Sequence, residues 1–234
     1  MKKIKFTLVE PQLEYCAEFP SPSIRSLPDW YKNMPSFTSN KKEFTDGVLN
    51  ETVKKCIPVL DSMSSGYIIK LWTDVYIEKT DGNMVAIHTS AINSGVKAVE
   101  GHHISQVSLY PFPEGYKKEV LKWRNPWHIQ TPKGYSCLFT TPINHDLPFK
   151  IFDGVVDTDT FPLSINFPFL IKNNFYGIIP AGTPIAQVIP FKRDSFSSER
   201  GIFNADEYQK LTNLHDSSFT NKYKTKWWSR KKYD

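Results

Sequence analysis

The chain has 234 residues, an apolar fraction of 40% and a formal net charge of +5, which suits one principal domain whose core needs no disulfide staples. Its mean hydropathy of -0.41 and the absence of a long apolar run argue against a membrane span. The three cysteines are widely and irregularly spaced, which fits neither a disulfide framework nor a zinc site, so reduced thiols and a cytoplasmic location are expected.

The first 57 residues predict an N-terminal arm or cap. The stretch KIKFTLVE reads as an opening strand, and the proline-rich stretch FPSPSIRSLPDWYKNMPSF interrupts regular structure after it. Within that stretch, LPDWYKNM is compatible with one or two helical turns.

Residues 58–192 predict the main β domain. Residues 57–92 contain two alternating apolar runs that flank Asp81-Gly82, a strong hairpin signal. Further short strands are expected in HISQVSLYPF, PWHIQTPKGYSCLFTTPI, FKIFDGVVDTD, LSINFPFLI and YGIIPAGTPIAQVIPF. The segment TPIAQVIP is apolar on both faces, which predicts a strand packed on both sides, and Gln187 within it is expected to satisfy backbone groups.

Residues 193–234 predict a C-terminal helix followed by a basic, aromatic tail. The helix is expected in NADEYQKLTNLHD, with Asn204 as its N-cap. Cations and indoles alternate near the end of the chain, and such a segment can bind nucleic acid: Lys222, Lys224, Lys226, Trp227, Trp228 and Arg230. The favoured interpretation is instead a tail whose tryptophans pack back on the domain or on a neighbouring subunit.

The order of three segments, IQTPKGYSCLFTTPI, then DGVVDTD, then IIPAGTPIAQVIP, resembles the dUTPase and dCTP deaminase superfamily. A weaker likeness joins MSSGYIIKL to an upstream segment of that family. The whole pattern is also similar to uncharacterised phage and bacterial proteins. The resemblance implies an all-β, β-clip fold, a distorted barrel in a homotrimer, in the host cytoplasm or in the virion if the protein is viral.

The same resemblance implies a nucleotide site. Asp157 would be the catalytic carboxylate that orients water, and Phe161, Gly154 and Gln187 would contact the nucleotide. The alternative for Asp157 and Asp159 is turn chemistry, since aspartates hydrogen-bond backbone groups in tight connections.

The residues that would support phosphate chemistry are absent from their family positions. The segment TTPINHDLPF lacks the expected arginine, and Ile68 stands where the family has a metal-linked aspartate. No histidine or cysteine spacing defines a metal site, so no metal and no cofactor are expected, and magnesium would be needed only by a nucleotide hydrolase.

The expected function is therefore a non-catalytic, dUTPase-like binding or assembly protein that forms a homotrimer. Its ligand, a nucleotide or another small molecule, stays open. Two alternatives remain: a nucleotide hydrolase or deaminase that uses Asp157, and a nucleic-acid-binding protein that uses the basic tail.

Overall fold

The chain is mostly antiparallel β-sheet with a few short helices, which confirms the all-β expectation. The computed structural model describes residues 2–39, 41–45, 48–79, 85–89, 95–215 and 223–234. The strands are β1 Lys5–Leu8, β2 Ser21–Pro22, β3 Phe44–Thr45, β4 Val48–Leu49, β5 Tyr67–Lys70, β6 Val75–Lys79, β7 Val85–Thr89, β8 Val99–Gly101, β9 Leu121–Trp123, β10 Trp127–Gln130, β11 Tyr135–Thr140, β12 Phe149–Ile151, β13 Gly154–Val156, β14 Phe167–Ile171, β15 Gly177–Ile179 and β16 Pro184–Lys192. The α-helices are α1 Asp29–Asn33, α2 Ile57–Ser64, α3 Ile104–Val107 and α4 Ala205–His215. Short 3₁₀ turns occur at Pro11–Leu13, Ser23–Ser26 and Val53–Lys55, and a π-helical turn at Tyr223–Trp227.

Two sheets carry most of the architecture. One has five strands in the order β13-β11-β16-β5-β2, and the other has four in the order β12-β14-β9-β8. The smaller pairings are β15-β6-β7, β1-β10 and β3-β4. Strand β16 is central in the five-stranded sheet, as its two apolar faces predict.

The core lies between these two sheets. Phe139 of β11 meets Phe167 of β14 with ring centroids 5.6 Å apart, which joins one sheet to the other. Trp123 stacks on Phe169 at 4.0 Å, and Phe149 packs edge-on against both rings. Stacked and edge-to-face aromatics add specific geometry to the burial of apolar area, so they fix how the strands are arranged.

The N-terminal segment is paired with strands of the main β domain. Strand β1 pairs with β10, and β2 pairs with β5 at the edge of the five-stranded sheet. Gly66 precedes β5 with a φ of +75°, and a Cβ there would meet the carbonyl oxygen of Val188 at 1.9 Å. Only glycine permits both this backbone conformation and this approach to β16.

The helices agree with the sequence in part. Helix α4 is confirmed, and the side chain of Asn204 caps it by accepting a hydrogen bond from the backbone N–H of Glu207 at 3.0 Å. Residues 57–64, which the alternation places in an apolar strand run, form α2 instead, and Pro58 in its first turn favours a helix start. Asp81-Gly82 lies outside the described residues, and the strands on either side of it, β6 and β7, pair antiparallel. Among the residues described, no helix has the length and apolar character that crossing a bilayer requires.

Candidate functional site

The Asp157 to Asp159 turn lies at one end of the five-stranded sheet. Strand β11 runs antiparallel to both of its neighbours, with Tyr135 opposite Lys192 and Cys137 opposite Val156. The start of β11 and the ends of β13 and β16 therefore lie at the same end of the sheet. This register brings the turn, the start of β11 and Arg193 together, and we call this group the Arg193 corner.

Asp159 and Arg193 form the centre of the Arg193 corner. The side chain of Asp159 is 3% exposed, and both guanidinium Nη atoms of Arg193 donate to its two carboxylate oxygens. The backbone N–H of Gly134 donates to Oδ2 of Asp159 at 2.8 Å. These bonds, that of Arg193 first, lower the pKa of Asp159 to about 2. A bidentate arginine on a nearly inaccessible carboxylate is a structural clamp that ties the turn to the sheet.

Asp157 keeps an exposed carboxylate beside this clamp. Its side chain is 61% exposed and lies 3.1 Å from Nη1 of Arg193. The hydroxyl of Ser136 donates to its Oδ1 at 2.6 Å. Its backbone carbonyl accepts hydrogen bonds from the N–H groups of Thr160 and Phe161, which forms a turn, whereas its carboxylate bonds Ser136 and Arg193. An exposed carboxylate can orient a water molecule, but both Nη atoms of the neighbouring Arg193 already donate hydrogen bonds to Asp159.

Arg193 is the residue that sequence reasoning missed. The resemblance predicts an arginine in the segment after β11, and none stands there. The register of the three antiparallel strands β13, β11 and β16 brings the residue after β16 to the turn after β13, and no local sequence pattern gives that register. The corner therefore does contain a cation, in a different place and with a carboxylate partner of its own.

The three residues predicted to contact a nucleotide lie in different surroundings. Phe161 follows the Asp157 turn with 39% of its surface exposed. Gly154 starts β13 opposite Phe139, with open space where a Cβ would stand. Gln187 is 1% exposed, and its amide bonds the N–H of Ile143 and the carbonyls of Ser62 and Ser65. The expectation that Gln187 satisfies backbone groups is confirmed, and these three bonds occupy its amide.

Residues 194–215, the C-terminal arm, contrast with this closed corner. Their described side chains are exposed except for Thr212, which is half-buried. Large apolar side chains are among them: Phe196 at 90%, Ile202 at 93%, Phe203 at 57%, Tyr208 at 61% and Leu211 at 39%. Within the described chain, residues 195–203 donate or accept no hydrogen bond to the rest of the protein. Five large apolar side chains exposed within one short segment make the arm a candidate interaction surface.

A second apolar feature crosses the outer face of the five-stranded sheet. Val155 lies opposite Leu138, Leu138 lies opposite Ile189, and Phe191 follows on the same face of β16. Val155 is 60% exposed and Phe191 38%, while Leu138 and Ile189 are half-buried. Helix α2 covers another part of this face through its bonds with Gln187. We call the four uncovered or partly covered residues the apolar stripe.

The basic tail packs back on its own domain through Trp228, which agrees with the favoured interpretation for that one of its two tryptophans. The indole N–H of Trp228 donates to Oδ2 of Asp61 at 2.8 Å, and Nζ of Lys231 reaches the same oxygen at 2.6 Å. Trp227 is 47% exposed. Lys224, Lys226 and Arg230 are exposed, and Lys222 lies outside the described residues.

The described residues contain no group of three or more histidine, cysteine, aspartate or glutamate side chains placed to hold a metal ion. Comparison with protein-family models, curated proteins and solved structures finds no significant match to this chain.

Proposed function

We propose that this chain is a non-catalytic assembly protein that forms a homotrimer on a dUTPase-like β-clip frame. The observation that carries this proposal is the C-terminal arm, which presents Phe196, Ile202 and Phe203 to solvent. A single subunit leaves this apolar surface uncovered, and a second copy can bury it.

The frame is supported by where the family-like segments lie. The segments that resemble the family include β11, β13 and β16, and these are adjacent strands of the same sheet. Sequence motifs that meet in space are stronger support for a shared frame than motifs scattered over the molecule. The subunit number of three comes from the resemblance.

The apolar stripe is a surface on which the arm of a neighbouring subunit can pack. The arm starts two residues after the last strand, and residues 194–203 can span up to about 33 Å if extended. The radius of gyration expected for a domain of this size is about 17 Å, so an arm can reach a neighbouring subunit. Burying a large apolar side chain contributes about 1.5–3 kcal/mol, so three of them provide a substantial part of a stable contact.

The absence of catalysis is supported by the Arg193 corner. A phosphate-binding arginine must be free to meet its substrate, whereas Arg193 uses both Nη atoms on Asp159. Asp157 remains exposed, yet polyphosphate chemistry also needs concentrated positive charge and a metal.

Light scattering coupled to size exclusion tests the assembly. The full chain is expected at three times its 27.0 kDa mass. The double variant Phe196→Ser/Ile202→Ser is expected to dissociate, because it removes apolar side chains that are 90% and 93% exposed within a subunit. Since these side chains contact little of their own chain, the subunit should keep its thermal stability.

Arg200→Ser is the matched control, because Arg200 is an exposed residue of the same arm and is expected to leave the trimer intact. A full chain that is monomeric at micromolar concentration would overturn the proposal. A trimer that the double variant leaves unchanged would show that the arm does not hold it together.

A further inference from the structure

The packed tail encloses a cavity of about 490 Å³ between α2 and the last residues of the chain. Leu60 and Ile24 form apolar parts of its wall, and Trp228 and Tyr233 contribute aromatic surface. Its size lies within the range of about 300–1,000 Å³ that is usual for small-molecule sites. We call this space the tail cavity.

The contacts that hold the tail in place also shape the tail cavity. Trp228 and Lys231 share one carboxylate oxygen of Asp61, whose side chain is only 16% exposed. Tyr233 packs against Tyr67 with ring centroids 5.9 Å apart. The cavity wall is therefore anchored at two points of the β domain.

The charge of the wall is unevenly compensated. Lys231 pairs with Asp61, and Lys232 lies 3.3 Å from Asp234. The other two cations of the wall, Lys224 and Arg230, have no ion-pair partner anywhere in the described parts of the chain. Because the side-chain carboxylates of Asp61 and Asp234 each already have a cation, the two remaining cations leave the cavity attractive to an anion.

We propose that the tail cavity binds a nucleotide through its phosphate. Arg230 and Lys224 supply the charge for a phosphate group, which guanidinium and ammonium groups bind through charge-assisted hydrogen bonds. Trp228 and Tyr233 supply the aromatic surface on which a base can pack. The phosphate is that of a free nucleotide or of a nucleotide within a single strand, and both present the same chemistry to these residues.

Isothermal titration of the full chain tests this site with dTMP, thymidine, inorganic phosphate and an oligothymidylate of about eight nucleotides. We expect dTMP to bind and thymidine to bind at least about tenfold more weakly, because it lacks the phosphate. Binding should also weaken as salt increases.

Variants localise the binding. Arg230→Gln and Lys224→Gln are each expected to weaken dTMP binding about tenfold, the usual consequence of losing one charge-assisted hydrogen bond. Lys226→Gln is the matched control, because Lys226 is an exposed lysine of the same tail that does not line the cavity. Neither Arg230 nor Lys224 holds the tail on Asp61, so unchanged melting curves should confirm that the variants are folded.

The outcomes separate cleanly. An oligothymidylate that binds at least about tenfold more tightly than dTMP would assign the site to single strands, and equal affinity would assign it to free nucleotides. Equal weakening by Arg230→Gln and Lys226→Gln would overturn the site, because binding would then reflect the overall charge of the tail. Thymidine that binds as tightly as dTMP, or no heat from any phosphate at about 1 mM, would overturn it as well.

Discussion

The Arg193 corner and the C-terminal arm are adjacent along the chain and opposite in character. In the corner, a nearly inaccessible carboxylate is bonded by a bidentate arginine and a backbone N–H. In the arm, Phe196 and Ile202 are about as exposed as side chains in an unfolded chain, at 90% and 93%. The polar groups of the corner are paired within the chain, whereas the arm leaves large apolar side chains uncovered. The exposed apolar side chains of the arm are the observation on which the proposed assembly role rests.

The largest expected difference in stability is between substitutions of two arginines, Arg193 in the corner and Arg200 in the arm. Arg193→Gln removes the bidentate, charge-assisted hydrogen bonds to Asp159, which should lower the stability of the fold. Arg200→Gln removes an exposed guanidinium from the arm and should leave stability unchanged. Urea unfolding should show a clear fall in midpoint for Arg193→Gln alone.

The rate at which the Cys137 thiol is labelled reports whether the corner has opened. It is fully buried behind the corner, where the hydroxyl of Thr158 donates to its Sγ at 3.3 Å, and burial raises the pKa of its thiol to about 11. Cys16 is exposed and serves as the internal reference for labelling. If the corner is a clamp, Arg193→Gln should speed labelling of Cys137 and not of Cys16. Equal labelling of Cys137 in the Arg193→Gln and Arg200→Gln variants would argue against the clamp.

The sequence predicts the corner and the arm unequally. Alternating apolar residues predict several strands and the central place of β16, and Asn204 predicts the start of α4, because these signals are local. The strand expected in HISQVSLYPF is wrong, because Ile104–Val107 form helix α3. The pairing of Asp159 with Arg193 depends on the register of three strands, which no local pattern specifies. The exposure of Phe196 and Ile202 is likewise a tertiary property, since apolar side chains usually predict burial.

A smaller effect on the stability of the fold is expected at acid pH. The pKa of Asp159 is lowered to about 2 in the folded chain, against an ordinary value of about 3.9 in the unfolded chain. A lowered carboxyl pKa stabilises the fold at pH values above the unfolded pKa, and this contribution is lost as pH falls through about 4 toward about 2. Melting temperatures measured across this range should fall in the parent chain, with a shallower fall in Asp159→Asn. Identical slopes would mean that Asp159 is not held by Arg193.

The smallest effect is expected from Asp157→Asn, which tests whether the corner is a scaffold or a catalytic site. The side chain of Asp157 is 61% exposed, and the hydroxyl of Ser136 can still donate to the amide oxygen of asparagine, so stability should change less than in Arg193→Gln. A scaffold should release neither pyrophosphate nor ammonia from a panel of deoxynucleotides with magnesium, before or after the substitution. The physical reason is that the nearest cation is occupied by Asp159, and loss of even one preorganised donor commonly reduces turnover about a hundredfold. Turnover of dUTP or dCTP by the parent chain that disappears in Asp157→Asn would instead establish a nucleotide hydrolase or deaminase and move the function from the arm to the corner.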